Sequence, residues 1–470
     1  MTAPESETRL RVKLKEHGQE HVLEWLEELE DPERERLLEQ LRGLDFGRLA
    51  DFRELLESPP EEVSFDDVEP APVERLPRNE KEREAEKSVR RMGRRAFEQD
   101  RVAAMTVAGG QGTRLGYDHP KGMYPISPIR KKSLFRLFAE QIMAARRRYG
   151  CSMPWLIMTG HTNDEETREF FEEKDYFGLG EDSVHFFVQH TNPILSAEGR
   201  LLRAERDELL IGPDGHGGVF KALADGGMLD LLREGGYQFL SHFQVDNPLV
   251  TVADERYLGY HIAHEADFSC KVVPKRDPGE GLGIAVLKGR GPAVIEYIDV
   301  PEEIAAQKTD SGELRYLFGS IAIHIIDVAF VDRMIERGNK LPWHVAEKTY
   351  DIYEGGGKVS SPENGCRKFE RFVFDSLRFA DECAFVEVDR EDEFGPVKNA
   401  EGEDSPATAR RLLQEQWLNW LEEAGFEFDH PRDLSEGVIE ISPLYATGPE
   451  DLRERLEPVW TPSFPLALEL

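Results

Sequence analysis

The chain has 470 residues and a formal net charge of −33, with 92 acidic residues against 59 basic ones. At roughly 100–200 residues per domain, that length allows two or three domains and a large core. The charge excludes a nonspecific nucleic-acid binder, which needs a basic footprint. No apolar run reaches the about 18 residues of a membrane helix. The first stretch, MTAPESETRLRVKLKEHGQE, lacks the apolar centre of a signal peptide. Cys151, Cys270, Cys366 and Cys383 are widely spaced with no C-x-x-C pair. They predict reduced thiols in a cytoplasmic protein rather than a disulfide frame or a zinc site. Arginine outnumbers lysine. An acidic, lysine-poor surface suits concentrated salt, where screening removes self-repulsion, so the composition points to a halophilic source.

Along the chain, apolar residues at three- and four-residue spacing predict a helical N-terminal region, stopped by Pro59 and Pro60. Residues 58–80 are rich in Pro, Glu and Asp and predict an extended connection. The charged segment KEREAEKSVRRMGRRAFEQD predicts a helix leading into the first core strand. From about residue 101, short apolar runs alternate with helical stretches. VAAMTVA, MPWLIMTG, VHFFVQ, YQFLSHFQVD, FSCKVVP and GIAVLKG predict strands; LFRLFAEQIMAARRRYG and GGMLDLLREGG predict helices. The alternation argues an α/β sheet with helices on both faces. Beyond about residue 400 a helix, TARRLLQEQWLNWLEEAGF, precedes short segments. The expected division is an N-terminal helical region at 1–100, a main domain at 101–389 and a C-terminal region at 390–470.

The stretch VAGGQGTRLGYDHPKGMYPI, residues 107–126, is the most informative. Gly109, Gly110 and Gly112 let the backbone turn sharply and approach a ligand closely. Main-chain N–H groups in such a loop can converge on phosphate oxygens. The same glycines would serve a plain tight turn, but Arg114 and Lys121 add positive charge suited to phosphoryl or nucleotidyl transfer. Neither G-x-x-x-x-G-K-S/T nor G-x-G-x-x-G is present, since Leu115 stands where the last glycine of the second pattern would fall. Ligands of open α/β sheets sit at the carboxyl ends of strands. This loop and Asp246, after FLSHFQV, both fall there and predict one shared site.

GGQGTRLG followed by PKGMY resembles the eukaryotic-type UDP-N-acetylglucosamine pyrophosphorylases, within the wider UDP-sugar pyrophosphorylase group. The resemblance continues in order through 158–179, 186–196, 212–223, 243–262, 294–297, 364–375 and 390–410. It implies a Rossmann-like, GT-A-like nucleotide-sugar transferase fold with smaller N- and C-terminal regions. It also implies transfer of uridylyl from UTP to a sugar 1-phosphate, with pyrophosphate released. N-acetylglucosamine 1-phosphate is the first expectation for the sugar. Glucose 1-phosphate, or a broad range of sugars, is the alternative.

The resemblance carries roles to individual positions. Val107, Ala108, Gly109 and Gly110 match the uridine-nucleotide loop, with Gly215 beside the nucleotide. Arg114 and Lys121 would offset triphosphate charge. Gln189, whose amide both donates and accepts, would pair with the uracil edge. Asp246 would contact UTP and hold Mg²⁺, a hard ion usually bound by one or two carboxylates plus phosphates; a turn-capping Asp is the bland alternative. Glu296 and Tyr297 match a sugar-binding pair. Lys368 and Lys398 match lysines that contact UTP and the sugar phosphate respectively; placing Lys368 requires one extra residue after the NG of 364–365.

Departures fall on the sugar side. His216 stands where the family usually has asparagine, as do Ser320 and Ile323 in GSIAIH. His216 would bond a sugar hydroxyl or pack beside its loop. A glycosyltransferase using a finished UDP-sugar is disfavoured by the cationic loop. A catalytically silent nucleotide-sugar sensor is disfavoured by Arg114, Lys121, Asp246 and Lys398.

Overall fold

A computed structural model describes residues 6–59, 63–289, 291–429, 431, 433–435, 437–457 and 462–469. The chain divides into two compact units. One combines 1–63, 190–218 and 341–373; the other combines 64–189, 219–340 and 374–470.

In the first unit the helical N-terminal pattern resolves into four helices: α1 (Glu7–Glu16), α2 (His21–Glu28), α3 (Glu33–Arg42) and α4 (Phe46–Glu57). Asp45 caps α4 through the Arg48 N–H, which satisfies one of the orphan donors of the first turn. The expected stop at Pro59 and Pro60 is met by the end of α4 at Glu57, although Pro60 itself lies outside the described residues. Leu10, Leu14, Leu26, Leu38 and Phe52 form a core with Leu195, Leu201 and Phe369. The short helices therefore draw stability from packing on the later segments rather than from their own length. A three-stranded antiparallel sheet joins 344–348, 366–370 and 195–196.

The second unit holds the large sheet. Its strands are β1 (Val68–Pro70), β2 (Val73–Glu74), β3 (Val102–Val107), β4 (Trp155–Thr159), β5 (Val184–Val188) and β6 (Phe239–Gln244). They continue with β7 (Phe268–Pro274), β8 (Ile284–Lys288), β9 (Gly291–Ile295), β10 (Phe318–Asp327) and β11 (Cys383–Glu387). The order is β2-β11-β7-β10-β6-β3-β4-β5, with β8 joining β10, β9 and β1. The β6-β3-β4-β5 and β7-β11-β2 blocks are parallel, and β10 runs antiparallel between them. Every residue of β3 and β4 is buried, the condition of parallel strands covered on both faces. The expected mixed α/β sheet is thus the observed one.

The strands and helices predicted from apolar runs appear where expected. The charged segment is α5 (Glu80–Glu98), capped by Asn79. The next two are α6 (Leu134–Tyr149), capped by Ser133 and ended by Gly150 at φ 66°, and α7 (Asp164–Glu173). They are followed by α8 (Glu255–Ala263) and by α9 (Pro406–Glu423), which opens on a Ser405–Thr408 capping box.

One strand position carries an unexpected charge. Lys271, in the middle of β7, is fully buried, with Nζ 2.8 Å from Asp254 Oδ2 and 2.7 Å from Glu393 Oε1. Asp254 also caps α8 through the Arg256 and Tyr257 N–H groups. Burial pushes the Asp254 carboxyl up, but the Lys271 ammonium outweighs it and holds the group at about 2. Burial raises Glu393, and the two carboxylates hold the Lys271 ammonium above its ordinary value. Lys271→Met should leave two buried carboxylates without their cation. The expected cost is about 3–5 kcal/mol, measured from the urea midpoint; an unchanged midpoint would show that the site hydrates at no cost.

Candidate active site

β3 and β6 are parallel neighbours, with Gln244 opposite Val107, and the chain leaves both at the same end of the sheet. After β3, Ala108 still donates to Met158 O (2.7 Å). The glycine segment then forms a closed loop. Gly112 N–H donates to His119 O (2.9 Å) and Lys121 N–H to Gly110 O (3.1 Å). The Lys121 backbone is therefore pinned to Gly110. Among the described residues, no carbonyl or side chain accepts from the N–H groups of Gly109, Gly110 and Gln111. Such a row of donors is an anion cradle.

A residue not singled out by sequence props this loop. Asn163, 1% exposed, precedes α7 but does not cap it. Its Nδ2 donates to Ala108 O (2.9 Å) and Gly110 O (3.3 Å), and its Oδ1 accepts from Gly160 N–H (2.7 Å). The loops after β3 and β4 approach so closely that a Cβ on Gly160 would fall 2.7 Å from Gly109 O. The only sequence signal for Asn163 was its place before an acidic first turn, which suggests an ordinary cap.

Lys121 Nζ lies 3.9 Å from Asp246 Oδ2, with both side chains largely buried. Arg114 stands exposed on the turn Thr113–Leu115. Gln189 follows β5, is 7% exposed, and is fixed by its N–H to Thr159 O (2.9 Å). Its Oε1 would lie 3.0 Å from a Cβ on Gly109. The structure thus brings together Val107, Ala108, Gly109, Gly110, Lys121, Gln189 and Asp246.

Asp246 is tied to a distant part of the sequence. Its carbonyl accepts from Val397 N–H (2.8 Å). Asn247 Nδ2 donates to Glu393 O (2.7 Å), and Asn247 Oδ1 accepts from Gly395 N–H (3.1 Å). Lys398, one residue after Val397, is thereby carried next to the end of β6, with its side chain 46% exposed.

Glu296 and Tyr297 follow β9 and sit over two glycines. Tyr297 is exposed, and a Cβ on Gly281 would touch its ring at 3.7 Å. A Cβ on Gly283 would meet Glu296 Oε1 at 3.7 Å. Ser320 joins this neighbourhood because its N–H donates to Gly283 O (2.8 Å). Ile323 does not, and the expectation that it lies on the sugar side is corrected: it is 2% exposed and belongs to the apolar core. The cause is strand alternation: Ile321, Ile323 and Ile325, two apart along β10, all join the same apolar core. The β10–β7 register also shifts between Cys270 and Val272, Ala322 takes φ 58°, and the buried Tyr257 hydroxyl bridges the main chain there. That hydroxyl donates to Ile323 O and accepts from Ile325 N–H, both at 3.1 Å.

Gly215, His216 and Lys368 belong to the other unit. Gly215 has φ 84°, and a Cβ there would fall 2.4 Å from Arg371 O, so only glycine fits. His216 packs against its own unit. Nδ1 accepts from Val373 N–H (3.1 Å) and the ring stacks on Phe372 at 5.3 Å. Lys368 Nζ pairs with Glu370 Oε1 at 2.8 Å. No group of three His, Cys, Asp or Glu side chains among the described residues could cage a metal ion.

A family model described as UTP–glucose-1-phosphate uridylyltransferase matches residues 49–446. The UDP-N-acetylhexosamine pyrophosphorylase-like protein 1 of Xenopus tropicalis is 35% identical over 500 residues, covering 100% of this chain and 97% of that protein. The UDP-N-acetylglucosamine diphosphorylase 2 of Arabidopsis thaliana is 34% identical over 463 residues, covering 94% and 90%. The crystal structure of the uridine diphosphate N-acetylglucosamine pyrophosphorylase from Trypanosoma brucei, in complex with an inhibitor, superposes with a TM-score of 0.83 at 30% identity. It covers 100% of this chain and 99% of that one.

Gly109→Ala tests the loop geometry. The new Cβ would sit 3.0 Å from Gln189 Oε1 and 3.3 Å from Gly160 N, so these neighbours must give by a few tenths of an ångström. The fold should hold, while UTP binding by calorimetry weakens roughly tenfold, about the worth of one hydrogen bond. Unchanged affinity would separate Gln189 from the nucleotide.

Proposed function

The chain belongs to the UTP–glucose-1-phosphate uridylyltransferase family, the UDP-sugar pyrophosphorylases, and from that premise we propose that it makes UDP-N-acetylglucosamine from UTP and N-acetylglucosamine 1-phosphate. The observation that carries the reading is the row of unengaged N–H groups at Gly109, Gly110 and Gln111 beside the Lys121–Asp246 pair. A sugar-phosphate oxygen attacks the α-phosphorus, the new P–O bond forms, and the α–β bridging bond breaks to release pyrophosphate. Little covalent work falls to the protein, so catalysis is positioning and charge neutralisation. The loop N–H groups and Arg114 hold the triphosphate. Lys121 meets charge growing on the leaving pyrophosphate. Gln189 reads the uracil edge, Glu296 and Tyr297 hold the sugar, and Lys398 binds its phosphate.

Mg²⁺ fits Asp246 as a partner shared with phosphates: one carboxylate at a strand end, with no closed protein cage, is how this hard ion is commonly held. When bound it would neutralise phosphate oxygens. Glucose 1-phosphate is the second reading, favoured by the description of the matching family model. Four cysteines outside any disulfide suit the cytoplasm, where we place the reaction.

Pyrophosphate release from UTP with a panel of sugar 1-phosphates is the test. The N-acetylglucosamine compound should lead, but by less than about 10³-fold, because Ser320, where the resemblance puts an asparagine, offers fewer groups for a wrong sugar to leave unpaired. No release with any sugar would leave only the sensor reading. Lys121→Ala and Arg114→Ala should each lower kcat by about 10²–10³ with Tm unchanged. Asp246→Asn should lose the metal-dependent rate, and CTP or ATP turning over as fast as UTP would remove Gln189 from base selection.

The net charge of −33 supports a second, physical expectation. Raising KCl from about 0.1 M to about 1 M shortens the screening length from about 10 Å to about 3 Å, so Tm should rise. A fall would count against adaptation to salt.

A further inference from the structure

The loop that carries Lys398 is closed by Asp404. Lys398 N–H and Asn399 N–H both donate to the Asp404 carbonyl, at 2.7 and 3.0 Å, and Asn399 Nδ2 donates to the adjacent Glu403 carbonyl at 3.0 Å. Asp404 holds φ 52°, the left-handed region that disfavours a residue with a Cβ. The next residue, Ser405, starts α9 with its capping box, so Asp404 is anchored to a rigid helix. At the other end of the loop, Val397 is anchored to the Asp246 carbonyl.

Within this frame Asp404 Oδ2 lies 3.8 Å from Lys398 Nζ, with the side chains 39% and 46% exposed. A pair this open adds little to folding. Burial raises the Asp404 carboxyl; Lys398 lowers it, and Asp246 raises it further. Asp404 therefore feels both the sugar-phosphate lysine and the strand-end carboxylate. The charges alternate: Lys121 on Asp246, Lys398 on Asp404. A lysine has four rotatable bonds, and a substrate that must first order them loses affinity. A carboxylate on an anchored backbone removes that cost by holding the ammonium beforehand.

We propose that Asp404 is a positioning residue for Lys398: its carboxylate holds the ammonium beside the end of β6, ready for the phosphate of the incoming sugar 1-phosphate. This rests on Lys398 being the sugar-phosphate lysine. On this inference Asp404 acts through Lys398. Asp is also favoured at this spot for its backbone alone, since Asp, Asn and Gly tolerate positive φ. The two roles separate experimentally.

Asp404→Asn keeps the backbone preference and the side-chain shape but removes the charge; Asp404→Gly relieves the backbone and removes the side chain. Both should lower kcat/KM for N-acetylglucosamine 1-phosphate by about tenfold or more, leave KM for UTP within about twofold, and leave Tm unchanged or, for glycine, raised. In a Lys398→Ala background, Asp404→Asn should have no further effect, because residues acting through one another are not additive. Wild-type kinetics for Asp404→Asn with an impaired Lys398→Ala would overturn the inference and leave the reading of Lys398 intact. An undiminished Asp404→Asn effect in the Lys398→Ala background would assign Asp404 an independent, structural role. Wild-type turnover by Lys398→Ala would remove the premise and the inference together.

Discussion

A single buried ammonium sets much of the second unit. Lys271 sits in a strand with no water to solvate it, so its charge demands partners. The two it takes come from opposite sides of the sequence: Asp254 at the start of α8 and Glu393 in the segment after β11. Glu393 then fastens its surroundings. Its other oxygen accepts from Thr251 N–H, and its carbonyl accepts from Asn247 Nδ2. Asp246 and Lys398 flank these anchors on either side. The positions of Asp246 and Lys398 are therefore a consequence of satisfying a buried charge. Such a triad contributes less to net stability than to uniqueness, since only one arrangement of the 390–398 segment leaves no charge stranded.

The same logic resolves the apparent mismatch between a strongly acidic chain and polyanionic substrates. Net charge acts at long range and is screened within about 8 Å at physiological ionic strength. On the proposed function, the loop after β3 would act at hydrogen-bond distance through N–H dipoles, which need no net charge at all. Lys121, held by its own backbone and by Asp246, need not search for its position. Local preorganisation outweighs the global field because it acts where water is displaced.

The sheet was legible from sequence because its parallel strands are buried on both faces. VAAMTVA or FSCKVVP has no other stable use than a covered strand. The glycine loop was legible because chemistry and turn geometry coincide in one short stretch. Long-range closures were not. That 190–218 and 341–373 pack with the N-terminal helices follows from which apolar faces meet, and no local pattern records it. Lys271 lay inside a correctly predicted strand, yet its partners are 17 and 122 residues away in sequence by their numbers. Asn163 looked like a helix cap, and only the structure shows its side chain turned to the glycine loop. Asp404 lies in the 390–410 stretch of the resemblance with nothing to mark it, because its place depends on a left-handed backbone.

The sugar side shows why residue identity and residue position must be argued separately. The resemblance puts asparagines at both Ser320 and Ile323, but strand alternation sends the two to opposite faces of β10. Ser320 keeps its place because its N–H is bound to Gly283 O, next to Glu296. Ile323 is turned into the core, where an asparagine amide would need partners and an isoleucine needs none. The strand there is stabilised from behind by the Tyr257 hydroxyl, which serves both Ile323 and Ile325 main chains. The isoleucine at 323 therefore gains apolar packing. On the proposed function, selectivity between sugars falls on Glu296, Tyr297 and Ser320. How many of their polar groups a wrong hydroxyl or a missing acetamido group leaves unpaired sets how sharply the chain can choose.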